Sequence, residues 1–263
     1  MVVGRTHIMP GVDKVGGKKM KNKKSLGQHW LKDRDILLDI ADLSCADKIT
    51  TAVEIGPGLG TLTSALFQFY DKVIAIEKDD QLAEKLPLSF PGKNLEIIHK
   101  DVLDVIPTEL PTDYCLVGNI PYYITTPIIE KFLACTPCPK KITLLIQKEV
   151  ADRVAATDGR RSFLSISVQA KALVELGPIV KKDLFTPPPK VDSRVLILTP
   201  RDKKLLDDKT LEFVRRGFDL PRKKLSANPV LRPLLPLANI NPGLRPANLE
   251  IDDWRQLAMA KKS

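Results

Sequence analysis

Between residues 48 and 198 the chain alternates two kinds of hydrophobic pattern. Short apolar-rich stretches at 48–55, 72–76, 95–98, 114–118, 141–147, 172–176 and 194–198 read as strands, with 114–118 an apolar run of the kind buried on both faces. Between them, apolar residues recur every three or four positions at 61–69, 80–86, 127–133, 149–155 and 163–171, the spacing of one helix face. A further helix is expected over 31–43, with Asp33 and Asp35 in its first turn, where carboxylates oppose the positive end of the helix dipole. Strand and helix in alternation specify an α/β fold with a mostly parallel, seven-stranded sheet covered on both faces.

The flanks read differently. Residues 1–24 carry seven basic side chains against Asp13 and little apolar periodicity, which predicts a basic N-terminal tail, with Met20 as an alternative start of translation. Beyond Pro200 no strand pattern recurs, and helices are expected over 209–218 and 252–261. The organisation is therefore a tail (1–24), an α/β domain (25–199) and a small C-terminal helical domain (200–263). Phe185, Thr186, Pro187, Pro188 and Pro189 read as a stiff extended loop presenting Phe185, because three prolines remove three backbone donors from any ladder.

Polar residues at strand ends suggest the chemistry. Gly56, Pro57, Gly58, Leu59 and Gly60 follow one strand and open a helix, the context in which a glycine turn exposes backbone to a ligand. Thr61 stands where a dinucleotide fingerprint has its last glycine, which favours another nucleoside cofactor. Glu77, ending the next strand, is placed to accept both ribose hydroxyls, and Asp101, after the third, to accept an adenine amino proton. Each has a plainer reading as turn, strand end or helix cap; their succession along the sheet points to an adenosine-containing cofactor. After the fourth strand come Asn119, Ile120, Pro121, Tyr122 and Tyr123. The Asn119 side-chain carbonyl and the Ile120 backbone carbonyl can accept both hydrogens of an exocyclic amine, and Tyr122 can stack on its ring. The same five residues also suit an Asx-type turn with Tyr122 packed in the core.

Composition narrows the classes. The 263 residues hold 41 Lys and Arg against 32 Asp and Glu, a net charge of +9 that suits a polyanionic partner without naming one. No run approaches the roughly 20 apolar residues of a membrane span, so the expectation is a cytoplasmic protein with no membrane partner. Cys135 and Cys138 form a single CxxC, but no second pair completes a zinc site, and His7, His29 and His99 are scattered; no metal is expected.

Longer motifs carry a family resemblance: KKSLGQHWL from Lys23, EIGPGLGTLT from Glu54, IEKD around Glu77, KDVLD around Asp101, GNIPYYITTP around Asn119, LLIQKEVADR from Leu144 and FTPPPKVDS from Phe185. With them the chain resembles the ribosomal RNA adenine N6,N6-dimethyltransferases, specifically the small-subunit rRNA enzymes. The resemblance implies a Rossmann-like class I methyltransferase that transfers methyl groups from S-adenosylmethionine, releasing S-adenosylhomocysteine. The substrate implied is two adjacent adenosines of the 3′-terminal hairpin loop of small-subunit (16S) rRNA in an immature 30S particle, methylated by a monomer during ribosome biogenesis. His29, Leu31, Gly56, Gly58, Glu77, Asp101 and Asn119 are implied to contact the cofactor, and Tyr122 and Phe185 to sandwich a flipped adenine beside Asn119 and Ile120. The family usually has Asn where this chain has His29, and Phe where it has Trp30. Arg215, Arg216, Arg222, Lys223 and Lys224 form the densest basic cluster of the C-terminal region and are implied to grip RNA. Two other readings share these motifs: a large-subunit rRNA methyltransferase of the antibiotic-resistance type, and a non-catalytic nucleic-acid-binding assembly or transcription factor.

Overall fold

The computed structural model describes residues 29–157 and 159–261; the basic segment 1–24 and its alternative start at Met20 lie outside them. In chain order the elements are β1 (Trp30–Leu31), α1 (Arg34–Leu43), β2 (Thr51–Ile55), α2 (Thr61–Leu66), β3 (Lys72–Glu77), α3 (Asp80–Lys85), β4 (Leu95–His99), β5 (Cys115–Asn119), α4 (Thr125–Phe132), β6 (Lys141–Gln147), α5 (Lys148–Val154), α6 (Phe163–Gln169), β7 (Ala172–Val180), β8 (Phe185–Thr186), β9 (Ser193–Pro200), α7 (Asp208–Gly217) and α8 (Ile251–Ala260). The expected helix at 31–43 starts later, because Asp33 caps it by accepting from the Ile36 amide at 3.1 Å, while Trp30 and Leu31 are extended.

Seven strands form one sheet in the order β4-β3-β2-β5-β6-β9-β7, with β4 to β6 parallel to one another and β9 antiparallel to both of its neighbours. Strand alternation divides the sheet's side chains between two cores. Val53, Ile55, Ile74, Ile76, Leu116, Leu144 and Leu196 face α4, α5 and part of α6, whereas Ala52, Val73, Val117, Leu145 and Val195 face α1 and α2. That two-sided burial is why these strands are continuously apolar in the sequence. The point where the order turns back lies between β2 and β5, and their carboxyl ends share one rim.

A third core gathers Leu211, Phe213, Val214, Leu231, Leu249, Trp254 and Leu257 with Ile166 of α6 and Ala170 just after it. Trp254 is fully buried, and α7 approaches it so closely that a Cβ on Gly217 would stand 2.4 Å from its ring. A separate two-stranded ribbon pairs β1 with β8, setting Trp30 opposite Thr186 and Leu31 opposite Phe185. No helix among the described residues is long and apolar enough to cross a membrane.

Candidate active site

Four consecutive parallel strands place their polar ends on the same rim, and an open cleft lies there. Of the residues singled out in the sequence, His29, Gly56, Gly58, Glu77, Asp101, Asn119, Ile120 and Tyr122 all line it.

The glycine turn forms one wall. Gly56 and Gly58 have φ of 64° and 57°, the left-handed region that costs other residues strain, and no heavy atom lies within 4 Å of where a Cβ on Gly56 would stand. The Gly56 backbone is therefore bare toward the cleft. At Gly58 a Cβ would sit 3.1 Å from the indole nitrogen of Trp30, so the ring closes over the turn because no side chain intervenes. The Gly58 amide donates to Glu77 Oε2 at 3.1 Å, and the Asp79 amide to Oε1 at 2.8 Å. Each Glu77 oxygen keeps lone-pair capacity for one more donor, as a ribose diol requires. Burial pushes the Glu77 carboxyl above the ordinary carboxylate range, partly opposed by those amides. Glu54, fully buried beneath the turn and bonded by Thr63 Oγ1 at 2.6 Å, is pushed up to about 8 by desolvation.

At the rim, Asp101 Oδ1 accepts from the Leu103 amide at 2.9 Å and Oδ2 pairs with Lys78 Nζ at 2.7 Å. The lysine first, then the amide, holds the Asp101 carboxyl below its usual range, so it is an ionised acceptor at neutral pH. A bare glycine backbone, a carboxylate with room for a diol and an ionised acceptor beyond it fit an adenosine-containing cofactor.

The opposite wall is the loop after β5. Asn119 Nδ2 donates to the backbone carbonyl of His29 at 3.0 Å, which fixes the amide plane and leaves Oδ1 without a protein partner among the described residues. Ile120 is 2% exposed, its side chain anchored in the main core, so at the cleft it offers main chain rather than side chain. Tyr122 is half-buried; its hydroxyl is tied to Ser193 Oγ at 2.8 Å, and burial raises its pKa. The His29 ring lies nearly parallel to that of Tyr122, with centroids 6.2 Å apart, and its Nδ1 is 2.7 Å from the Pro187 carbonyl.

One expectation is corrected. Phe185 is not presented at the cleft: it is 3% exposed and packed in the core with Leu37, Ile40 and Val195. The side chain of Leu31, 1% exposed, lies in the same core, so any part it takes in the cleft is through its main chain. The cause is the β1–β8 ribbon. Residues opposite one another share a face, so Leu31 and Phe185 point inward together while Trp30 is left toward the cleft. The ring facing Tyr122 is His29, not Phe185.

Glu54, Lys78 and Ser193 escaped the sequence reading. A carboxylate inside the apolar-rich strand Thr51–Ile55 was the available signal for Glu54; Lys78 and Ser193 fall inside the motifs IEKD and FTPPPKVDS, but nothing local gives them a role. Arg215, Arg216, Arg222, Lys223 and Lys224 are all exposed, at the end of α7 and in the turn after it. Arg215 stacks 4.5 Å over Phe163 and lies 3.4 Å from Glu212, whereas Arg222, Lys223 and Lys224 make no ion pair among the described residues.

The chain matches the family model described as "Ribosomal RNA adenine dimethylase" over residues 19–236. It is 35% identical to "Ribosomal RNA small subunit methyltransferase A" of Dehalococcoides mccartyi (strain CBDB1), covering 92% of this chain and 89% of that one. The protein of the same name in Mycoplasma capricolum is 35% identical, covering 90% and 97%. Among solved structures, a dimethyladenosine transferase from Plasmodium falciparum superposes with a TM-score of 0.75 at 28% identity, covering 89% of this chain and 98% of that chain. The 23S rRNA methyltransferase ErmE does so with a TM-score of 0.72 at 28% identity, covering 89% and 100%.

Proposed function

The chain belongs to the ribosomal RNA adenine dimethylase family, and on that footing we propose that it dimethylates N6 of two adjacent adenosines in the 3′-terminal hairpin loop of small-subunit rRNA, on an immature subunit. By family it is an S-adenosylmethionine-dependent rRNA adenine dimethyltransferase. The small-subunit substrate is supported by the relatives that match at 34 to 42% identity, all bearing the small-subunit name. The rival large-subunit reading rests on shared catalytic motifs, and ErmE and the dimethyladenosine transferase, both 28% identical, do not separate the two.

The observation that carries the mechanism is the bond from Asn119 Nδ2 to His29 O. Gly56, Gly58, Glu77 and Asp101 would hold the cofactor, with the diol at Glu77 and the adenine at Asp101. When bound, S-adenosylmethionine supplies a methyl carbon made electrophilic by its sulfonium. Asn119 Oδ1 and the Ile120 carbonyl accept the two N6 hydrogens of the target adenine and draw the nitrogen lone pair out of conjugation. No strong base is then needed: alignment of the nucleophile with a sulfonium that leaves as a neutral thioether does most of the work, and the methylated N6 then loses its proton to solvent. Tyr122 supplies the stacking face, held in place through Ser193, with the His29 imidazole as the ring across from it. A monomethylated base has one amino hydrogen left, and either carbonyl alone suffices to orient it. An adenine within a duplex cannot reach this cleft, so the target must be looped or extruded.

Supplying labelled donor to the chain with undermethylated small subunits, and separately with large subunits, tests the proposal. Label on two adjacent adenosines of the small-subunit hairpin loop is expected; label confined to large-subunit rRNA, or on another base, would overturn it.

A further inference from the structure

Outside the cleft, the CxxC at the carboxyl end of α4 has geometry that methyl transfer does not use. Cys135 Sγ donates to the Phe132 carbonyl at 3.5 Å and to the Pro137 carbonyl at 3.1 Å, while Cys138 Sγ donates to the same Phe132 oxygen at 3.2 Å. Two half-buried thiols thus converge on one acceptor at the end of a helix. Beside them the hydroxyl of Tyr114, a fully buried residue, has no hydrogen-bond partner. An unpartnered buried donor is costly, and a thiolate on Cys135 would satisfy it. Cys45 and Cys115 differ: burial raises both thiols, so neither is a ready nucleophile.

We propose that Cys135 and Cys138 are a dithiol that closes reversibly into a disulfide by exchange with small-molecule disulfides, a modification site remote from the methyl-transfer cleft. Cys135 thiolate attacks one sulfur of the small disulfide, forming a mixed disulfide and expelling one small thiolate. Cys138 then gives up its proton to solvent and attacks the Cys135 sulfur, expelling the second. Two protein thiols are oxidised and one small disulfide is reduced to two thiols. The order of attack follows from the surroundings. The Cys138 thiol and the Tyr114 hydroxyl, positioned to donate to a thiolate, together with nearby Lys131, outweigh burial and hold Cys135 down at about 7. Cys138, beside a thiol that ionises first and partly buried, is raised, although Lys140 and Lys204 oppose this. A thiol that ionises near neutral pH attacks, and its partner resolves. Closure removes both S–H donors from the Phe132 carbonyl, at the far end of the helix that follows the Asn119–Tyr123 loop.

The test uses the full reduced chain in graded mixtures of reduced and oxidised glutathione, followed by iodoacetamide, trypsin and mass mapping of the single peptide, residues 132–140, that holds both cysteines. Two hydrogens lost from that peptide, without alkylation or a glutathione adduct, are expected. Separate adducts on the two cysteines, or two freely alkylated thiols under oxidising mixtures, would overturn the proposal. In Cys138→Ser, reaction should stop at a glutathione adduct on Cys135, and in Tyr114→Phe, Cys135 should alkylate several-fold more slowly at neutral pH. A Cys135 no more reactive than Cys45 in the unaltered chain would count against it without recourse to any variant.

Discussion

The rim formed by β2 to β5 and the ribbon formed by β1 and β8 both border the cleft, yet they hold their residues by different physics. On the rim, β2, β3 and β5 are buried on two faces and β4 flanks them at the edge, so a polar residue at the end of a buried strand is an exception with one place to go. Glu77 and Asn119 end β3 and β5, Asp101 follows β4, and all three line the cleft. On the ribbon, two-residue strands leave the facing of each side chain to a partner across the chain, as far as His29 is from Pro187, 158 positions on. Chain position alone therefore places the rim residues but not the ribbon residues.

Replacing Phe185 probes that contrast most severely. As a core residue, Phe185→Ala should lower unfolding stability by about 3 to 5 kcal/mol, measured by denaturant titration. Unchanged stability with lost methyl transfer would return Phe185 to the cleft and erase the distinction.

Next in size is the pH response of the rim. Burial lifts the folded pKa of Glu54 to about 8, above the ordinary carboxyl value of 4.5, so the folded state binds more protons than the unfolded one across that window. Its contribution is fully present below the lower value and is lost as pH rises through the upper one. Stability should fall by on the order of a few kcal/mol between those limits, and Glu54→Gln should flatten the slope. A slope unaltered by the substitution would mean that burial does not govern this carboxyl.

The smallest effect belongs outside both regions. Replacing Arg222, Lys223 and Lys224 together should weaken RNA binding and reduce the salt dependence of affinity by roughly 0.7 in log–log slope per lost phosphate contact, leaving cofactor affinity unchanged. An unchanged slope would move the RNA grip elsewhere.

Much of the fold was legible because two-sided burial writes itself as uninterrupted apolar runs: all seven main strands were anticipated, with limits displaced where capping or edge pairing decides. Strand β7 continues to Val180 because it pairs with β9 past an irregularity at Leu176 to Ile179, which no local pattern announces. In the site, Gly56, Glu77, Asp101 and Asn119 were legible as anomalies at strand ends. The neighbours that fix them were not. The His29 carbonyl that orients Asn119, the Ser193 hydroxyl that tethers Tyr122 and the Lys78 ammonium on Asp101 all act across distant sequence, through bonds that depend on tertiary placement.

The central claim is that the Asn119 amide, held through its nitrogen, orients the target amine through its oxygen. Single-turnover methyl transfer by Asn119→Ala, measured beside S-adenosylmethionine affinity by calorimetry, addresses it directly. Transfer should slow at least about tenfold, a barrier change near 1.4 kcal/mol, with affinity changed little. Transfer at the unaltered rate, or a loss explained wholly by weaker cofactor binding, would contradict the account.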